Sequence, residues 1–193
     1  VRARTLAALI VAGTVPLIVI GPFVKDALES DFRDPTAVGW LLIVTAVVLC
    51  VGELFTRFVE KRPRDLEVMA IPQAFIIGLI QVLAVFPGVS RSGVTMVAGM
   101  AVGLTRESAA RFSMLIAAPA ITGAGLLVAM DALEGGEDIE LGIIALGASV
   151  SAITAYFVIA GLMKLLRAGS FRPFIVYCAV AGAGVIIARA LGA

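Results

Sequence analysis

Arg91 stands in the middle of a long apolar stretch, inside the run Pro87-Gly88-Val89-Ser90-Arg91-Ser92-Gly93-Val94-Thr95. A guanidinium in such a setting costs at least ~2.5–3.5 kcal/mol unless an anion or a polar cavity compensates. No carboxylate occurs between Glu67 and Glu107, so the partner is either distant in sequence or a ligand. Phosphate suits the residue types present. The planar fork of Arg91 can meet two phosphate oxygens at once, which a lysine cannot reproduce. Ser90, Ser92 and Thr95 add hydroxyl donors. The backbone around Gly88, Val89 and Gly93 can turn successive N–H groups into a concavity for an anion. A half-helix expected to begin near Gly93–Val94 would aim its positive end at the same place. The competing reading is a plain turn, with Arg91 reaching a remote carboxylate and Ser90 and Ser92 capping helix ends or bonding carbonyls. Gln81, one and a half turns before Pro87, could orient a water or a metal-bound ligand, or make an interhelical hydrogen bond.

The elements that must position this loop are apolar helices. A spanning helix needs roughly 20 apolar residues, and Thr5–Val24, Thr36–Phe58, Ser108–Met130 and Leu141–Leu166 reach that length, with Pro173–Leu191 just sufficient. The segment 71–104 differs. Its two apolar runs, Ile71–Phe86 and Val94–Leu104, are each too short to span and are split by PGVSRSG. Pro87 cannot continue a helix, and Gly88 and Gly93 allow backbone angles that other residues resist. Unpaired backbone at membrane depth needs burial in protein or a polar cavity, so 71–104 is expected to be a re-entrant helix-loop-helix hairpin. The fold class is therefore an all-α polytopic membrane bundle over residues 1–193, a single transmembrane domain with about five spanning helices and this one hairpin.

Charge distribution supports the hairpin. If it enters and leaves on one face, then Arg2, Arg4, Arg57, Lys61, Arg62, Arg64, Arg106, Arg111, Lys164, Arg167 and Arg172 share that face. Lys25, Arg33 and Arg189 lie opposite, with Asp26, Glu29, Asp31 and Asp34 in one loop and Asp131, Glu134, Glu137, Asp138 and Glu140 in another. The positive-inside rule makes the basic face cytoplasmic, and a single crossing by 71–104 would destroy the asymmetry.

With 61% hydrophobic and 15% charged residues, and a mean hydropathy of +1.08, the bilayer is the natural solvent. The 15 basic and 14 acidic residues nearly cancel, so nothing argues for nucleic acid. The absence of histidine excludes a histidine acid, base or metal ligand from this chain. Cys50 and Cys178 lack disulfide or metal spacing and read as core thiols. The first apolar run has no cleavage signature and reads as a spanning helix rather than a signal peptide. Small residues at Gly99 and Gly103, Gly123 and Gly125, and Gly182 and Gly184 are expected at close helix contacts. Glu53 and Arg57 have the i,i+4 order of an interfacial ion pair. The basic loop Arg57–Arg64 is a topology signal that could also meet anionic lipid head groups. Thr105 has the character of an N-cap with Ser108 at the third helical position.

The run GLIQVLAVFPGVSRSGVTMVAGMAVGLTRESAARFSMLIAAPAITGAGLL resembles the second half of the undecaprenyl-diphosphatase (bacitracin-resistance) family, whose signature PGVSRSGVT matches and is joined here by LTRESAARFSMLIAAPA. The likeness extends to IVAGTVPLIVIGPFVKD and KLLRAGSFRPFIVYCAVAGAGVII, and so to nearly the whole chain. It implies an inverted-repeat bundle in the bacterial inner membrane. The implied activity removes the terminal phosphate of undecaprenyl diphosphate, regenerating the lipid carrier of cell-wall synthesis.

The resemblance carries Ser90, Arg91, Ser92 and Thr95 onto the family's second signature as catalytic candidates. Gly88, Val89, Gly93 and Gln81 follow as phosphate-binding ones. It also implies a divalent cation, Mg2+ or Ca2+, with ligands outside this chain, and leaves a homo-oligomer open. An earlier family repeat, with an E/Q-x-x-x-E motif and a Ser-rich stretch ending in histidine, has no counterpart in these residues. The expectation is a shortened version or compromised activity. A transporter or flippase half that binds an anionic substrate at the midplane, and a non-catalytic lipid-binding partner, are the alternatives.

Overall fold

The computed structural model describes residues 3–28, 34–59, 64–134, 141–167 and 170–191. Among them it contains seven α-helices: α1 (Ala3–Leu28), α2 (Pro35–Val59), α3 (Ile71–Gln81), α4 (Arg91–Ala101), α5 (Arg106–Glu134), α6 (Leu141–Arg167) and α7 (Arg172–Ala190). Five of these, α1, α2, α5, α6 and α7, are long and apolar enough to cross a membrane. The chain is an all-α, multi-pass membrane protein. In hydrocarbon a helix satisfies its own backbone, which is why each apolar run of sufficient length takes this form. The acidic residues Glu29, Asp31, Glu137, Asp138 and Glu140, and residues 60–63 of the basic loop, lie outside the described residues.

The helix boundaries follow local chemistry. Asp34 precedes Pro35, a residue suited to the first helical position, and its Oδ1 accepts the Thr36 N–H at 3.0 Å. That backbone hydrogen bond holds the Asp34 carboxyl below its ordinary pKa. Thr105 caps α5 by accepting the Ser108 N–H at 3.2 Å, as its position predicts.

The segment between α2 and α5 is a hairpin whose two ends lie side by side. The Arg64 N–H donates to Gly103 O at 3.2 Å and the Thr105 N–H donates to Arg64 O at 3.0 Å. Gln73 Nε2, in the first turn of α3, donates to Val102 O just beyond α4 at 3.0 Å. Ser108 Oγ accepts from the Leu66 N–H at 3.2 Å and donates to Asp65 Oδ1 at 3.3 Å. Entry and exit are thus stitched together at one end of the bundle. At that end Glu53 of α2 accepts from Arg106 Nη2 at 2.9 Å and from the Phe171 N–H at 3.2 Å. Arg106 also lies over the Phe171 ring, 5.7 Å from its centre. Glu53 therefore ties α5 and the start of α7 to α2, contacts that the spacing of Glu53 and Arg57 could not reveal; the Arg57 side chain lies outside the described side chains.

The core is built where α1, α2 and α5 enclose the hairpin formed by α3 and α4, around Leu9, Leu49, Ala74, Ile77, Met100, Phe112 and Ile116. α1 and α3 cross at Gly13 and Gly78, so closely that a side chain at Gly78 would strike the Gly13 carbonyl. The small-residue expectation holds at Gly99, where an added Cβ would come 2.8 Å from Ala109 Cβ, and at Gly182, 2.7 Å from Gly39 O. It fails at Gly123, Gly125 and Gly184, which have nothing within 4 Å. Those three sit on helix faces that no described residue covers. Gly103 instead ends α4 with φ +98°, the left-handed turn that returns the chain to α5.

Candidate anion site at the hairpin tip

Helix α3 ends at Gln81, a short 3₁₀ turn covers Val82–Val85, and the chain then turns through Pro87 and Gly88 into α4. Gly88 has φ +98°, and a Cβ there would lie 2.9 Å from Val38 O and 3.0 Å from Leu41 Cβ. Only glycine meets both demands, the backbone angle and the closeness of α2.

Helix α4 begins at Arg91, earlier than the Gly93–Val94 start expected from the glycine. The reason is Ser90, which adopts extended backbone angles (φ −70°, ψ 110°) and accepts the Gly93 N–H on its Oγ at 3.2 Å. It is therefore the N-cap, and Arg91 occupies the first helical position. The Ser90 hydroxyl also lies 3.3 Å from Ser92 Oγ. The backbone N–H groups of Arg91 and Ser92 have no hydrogen-bond partner among the described residues, as the first turn of a helix dictates. The Arg91 guanidinium is half-buried and likewise makes no ion pair or hydrogen bond there. Two free N–H groups, the helix dipole, two hydroxyls and a guanidinium thus occur on two consecutive residues and the cap before them.

The remaining candidates fall into different surroundings. Val89 donates its N–H to Phe86 O at 3.1 Å, closing the turn. Gly93 is buried, with the Ser90 side chain and Leu49 against it. Thr95 is 1% exposed, and its hydroxyl lies 2.7 Å from Arg91 O and 2.6 Å from Ser113 Oγ on α5. Its hydroxyl therefore ties α4 to α5 and supports the turn that carries Arg91. Gln81 is wholly buried, and neither amide atom has a hydrogen-bond partner among the described residues. Such an amide costs about 1–3 kcal/mol when unsatisfied and is a ready partner for a polar ligand group.

A family model, bacitracin resistance protein BacA, matches residues 1–184. The chain belongs to the BacA family. Among its relatives is an undecaprenyl-diphosphatase of Renibacterium salmoninarum, 37% identical over 188 residues, which cover 95% of this chain and 66% of the relative. Another, from Methanosphaera stadtmanae, is 40% identical over 179 residues, covering 93% of this chain and 63% of the relative. A third, from Halothermothrix orenii, is 37% identical over 185 residues, covering 95% and 70%. This chain spans about two thirds of the length of these BacA relatives.

Two residues of this BacA chain that bear on the loop escaped sequence reasoning. Thr45 of α2 touches the loop backbone, and Ser113 of α5 meets Thr95. Both are hydroxyls inside apolar helices, where nothing in the local pattern separates them from carbonyl-bonded residues such as Thr14, whose Oγ1 donates to Ile10 O at 2.8 Å.

The donor set around Arg91 suits an anion. It does not fit a divalent cation, because guanidinium and N–H groups cannot ligate one and the loop carries no carboxylate. Among the described residues no group of three or more Asp, Glu or Cys could hold a metal. A cleft lined by Asp65, Glu67, Glu107, Ser108 and Arg111 lies at the base of the hairpin, with Arg111 paired to Glu107 at 2.6 Å. Asp65 and Ser108 belong to the stitching of the hairpin's ends, and the Arg111–Glu107 pair lies within α5.

Proposed function

We propose that this chain acts on undecaprenyl diphosphate, releasing phosphate to leave undecaprenyl phosphate and so recycling the lipid carrier of cell-wall synthesis in the bacterial inner membrane. The observation that carries the reading is the half-buried Arg91 in the first turn of α4, directly after its Ser90 cap, whose guanidinium has no ion pair or hydrogen bond among the described residues. In an apolar bundle such a charge is sustained by an anionic ligand. The resemblance of the loop to the family signature and the printed names of the relatives support the lipid diphosphate as that ligand.

In this reading the terminal phosphate meets the Arg91 fork, the Arg91 and Ser92 N–H groups and the Ser92 hydroxyl. Charge on its equatorial oxygens is thereby stabilised as the bond to the bridging oxygen breaks and, in the net reaction, a bond from phosphorus to the oxygen of water forms, with undecaprenyl phosphate as the leaving group. Ser90 and Ser92 are the hydroxyls from which a further donor, or the attacking nucleophile, would come. The hairpin would enter the bilayer from the cytoplasmic face and return to it. A divalent cation implied by the resemblance would take its ligands from outside these residues.

Phosphate release from undecaprenyl diphosphate in lipid nanodiscs, with the chain co-expressed with the third of a BacA relative that it does not match, tests the proposal. Arg91→Lys keeps the charge and loses the two-pronged geometry, so release should fall by about tenfold or more, the effect of losing one charge-assisted hydrogen bond. Unchanged release in an active assembly removes Arg91 from the site.

A further inference from the structure

Thr45 is buried, 1% exposed, on the face of α2 that runs beneath the loop. Val38, Leu41, Thr45, Leu49 and Gly52 recur at helical spacing. In turn they meet Gly88, Ser90, Gly93 and Val97 across the interface. The Thr45 hydroxyl makes two bonds to the loop backbone. It donates to Gly88 O at 3.1 Å and accepts the Ser90 N–H at 3.2 Å.

We infer that Thr45 is the positioning residue of the anion site, a hydroxyl clamp that fixes which backbone groups of the loop face the ligand. The inference rests on the reading of Arg91 and α4 as an anion site. A carbonyl facing a phosphate would repel it, and Gly88, in its left-handed conformation with little steric restraint, is the residue whose carbonyl could most easily turn that way. Thr45 draws that carbonyl to α2. It also takes up the Ser90 N–H, which leaves the Arg91 and Ser92 N–H groups as the donors that point forward from the helix. Ser90 is then held in the extended angles from which its own hydroxyl caps Gly93. One hydroxyl thus determines both the polarity of the loop and the first turn of α4. Thr45 touches backbone alone in these contacts and acts through the loop.

The test is binding of inorganic diphosphate to the purified chain in nanodiscs, measured by calorimetry, alongside the thermal midpoint. Thr45→Val conserves shape and removes the hydroxyl, whereas Thr45→Ser conserves the hydroxyl. The expected result is about a tenfold or greater loss of diphosphate affinity in Thr45→Val, with Thr45→Ser within about threefold of the parent. Where Thr45→Val does not yield folded protein, Thr45→Ala takes its place. Parental affinity in the hydroxyl-free variant, or equal losses in Thr45→Val and Thr45→Ser, overturns the clamp. Arg91→Lys in the same assay separates the two levels. If Arg91→Lys weakens binding and Thr45→Val does not, Thr45 alone is misassigned. If the parent binds no diphosphate, or Arg91→Lys binds as the parent does, the anion site itself falls.

Discussion

At the scale of single residues, the hydroxyls of the signature run divide by their partners. Thr95 Oγ1 is enclosed between Arg91 O and Ser113 Oγ, whereas Ser92 Oγ is half-buried beside Ser90 Oγ on the turn that carries the unpaired guanidinium. The two should therefore respond differently to truncation. Thr95→Ala is expected to lower the thermal midpoint, in line with about 1–2 kcal/mol for a buried hydroxyl pair broken on one side, and to weaken diphosphate binding only as the turn loosens. Ser92→Ala should leave the midpoint close to the parent value and reduce diphosphate affinity by roughly tenfold. The measurement is a paired one, midpoint and affinity on each variant. A reversed pattern would place the ligand on the α5 side of α4.

At the scale of elements, the hairpin's ends are joined by backbone bonds between Arg64 and its neighbours Gly103 and Thr105, and α5 starts from the same place. The Glu53 contacts to Arg106 and the Phe171 N–H put the ends of α2 and the starts of α5 and α7 together. These contacts agree with the basic face of the sequence. Single cysteines placed at Arg62, Thr105 and Ala168 should therefore be labelled by impermeant maleimide only from the cytoplasmic side, and one at Gly135 only from outside. Labelling of position 105 from outside would make residues 71–104 a crossing segment and require α5 to run in the opposite sense.

At the scale of the whole molecule, residues 121–130 of α5 and 142–161 of α6 are exposed throughout. Lipid tails can face such surfaces without hydrophobic penalty, so packing and polar contacts decide what covers them. Ser149 Oγ donates to Ala145 O at 2.7 Å and Thr122 Oγ1 to Ala118 O at 2.9 Å, which lets both hydroxyls sit in an apolar surrounding. Glu53 is already engaged at the basic face, and the loop offers donors without a carboxylate. These 193 residues purified alone are therefore expected to insert in lipid and release phosphate slowly or not at all. Co-expression with the third of a BacA relative that this chain does not match, where the family resemblance implies a Glu-rich repeat, should raise release. Rapid metal-dependent release by the chain alone, abolished by Arg91→Ala, would place the catalytic acid among these residues and refute the expectation.

The sequence by itself determined the solvent, the spanning helices, the interruption at Pro87 and Gly88, and the chemical character of the Arg91 loop. Those features are local: apolar length sets a span, proline and glycine break a helix, and an isolated guanidinium demands an anion wherever the chain goes. The helix-loop-helix of the hairpin was legible too, because its two apolar runs are each too short to span and are split by proline and glycine. What only the tertiary structure decided is how hydroxyls and carboxylates are shared between helices. Thr45 reaches Gly88 and Ser90 over some 43 to 45 residues of chain, and Glu53 reaches Phe171 over 118. Thr95 turns to Ser113, and α4 starts at its serine cap rather than at its glycine. A hydroxyl in an apolar helix has the same local pattern whether it bonds its own carbonyl or clamps a loop. The register of one helix against another makes that choice, and packing at Gly13 and Gly78, or Gly39 and Gly182, sets the register.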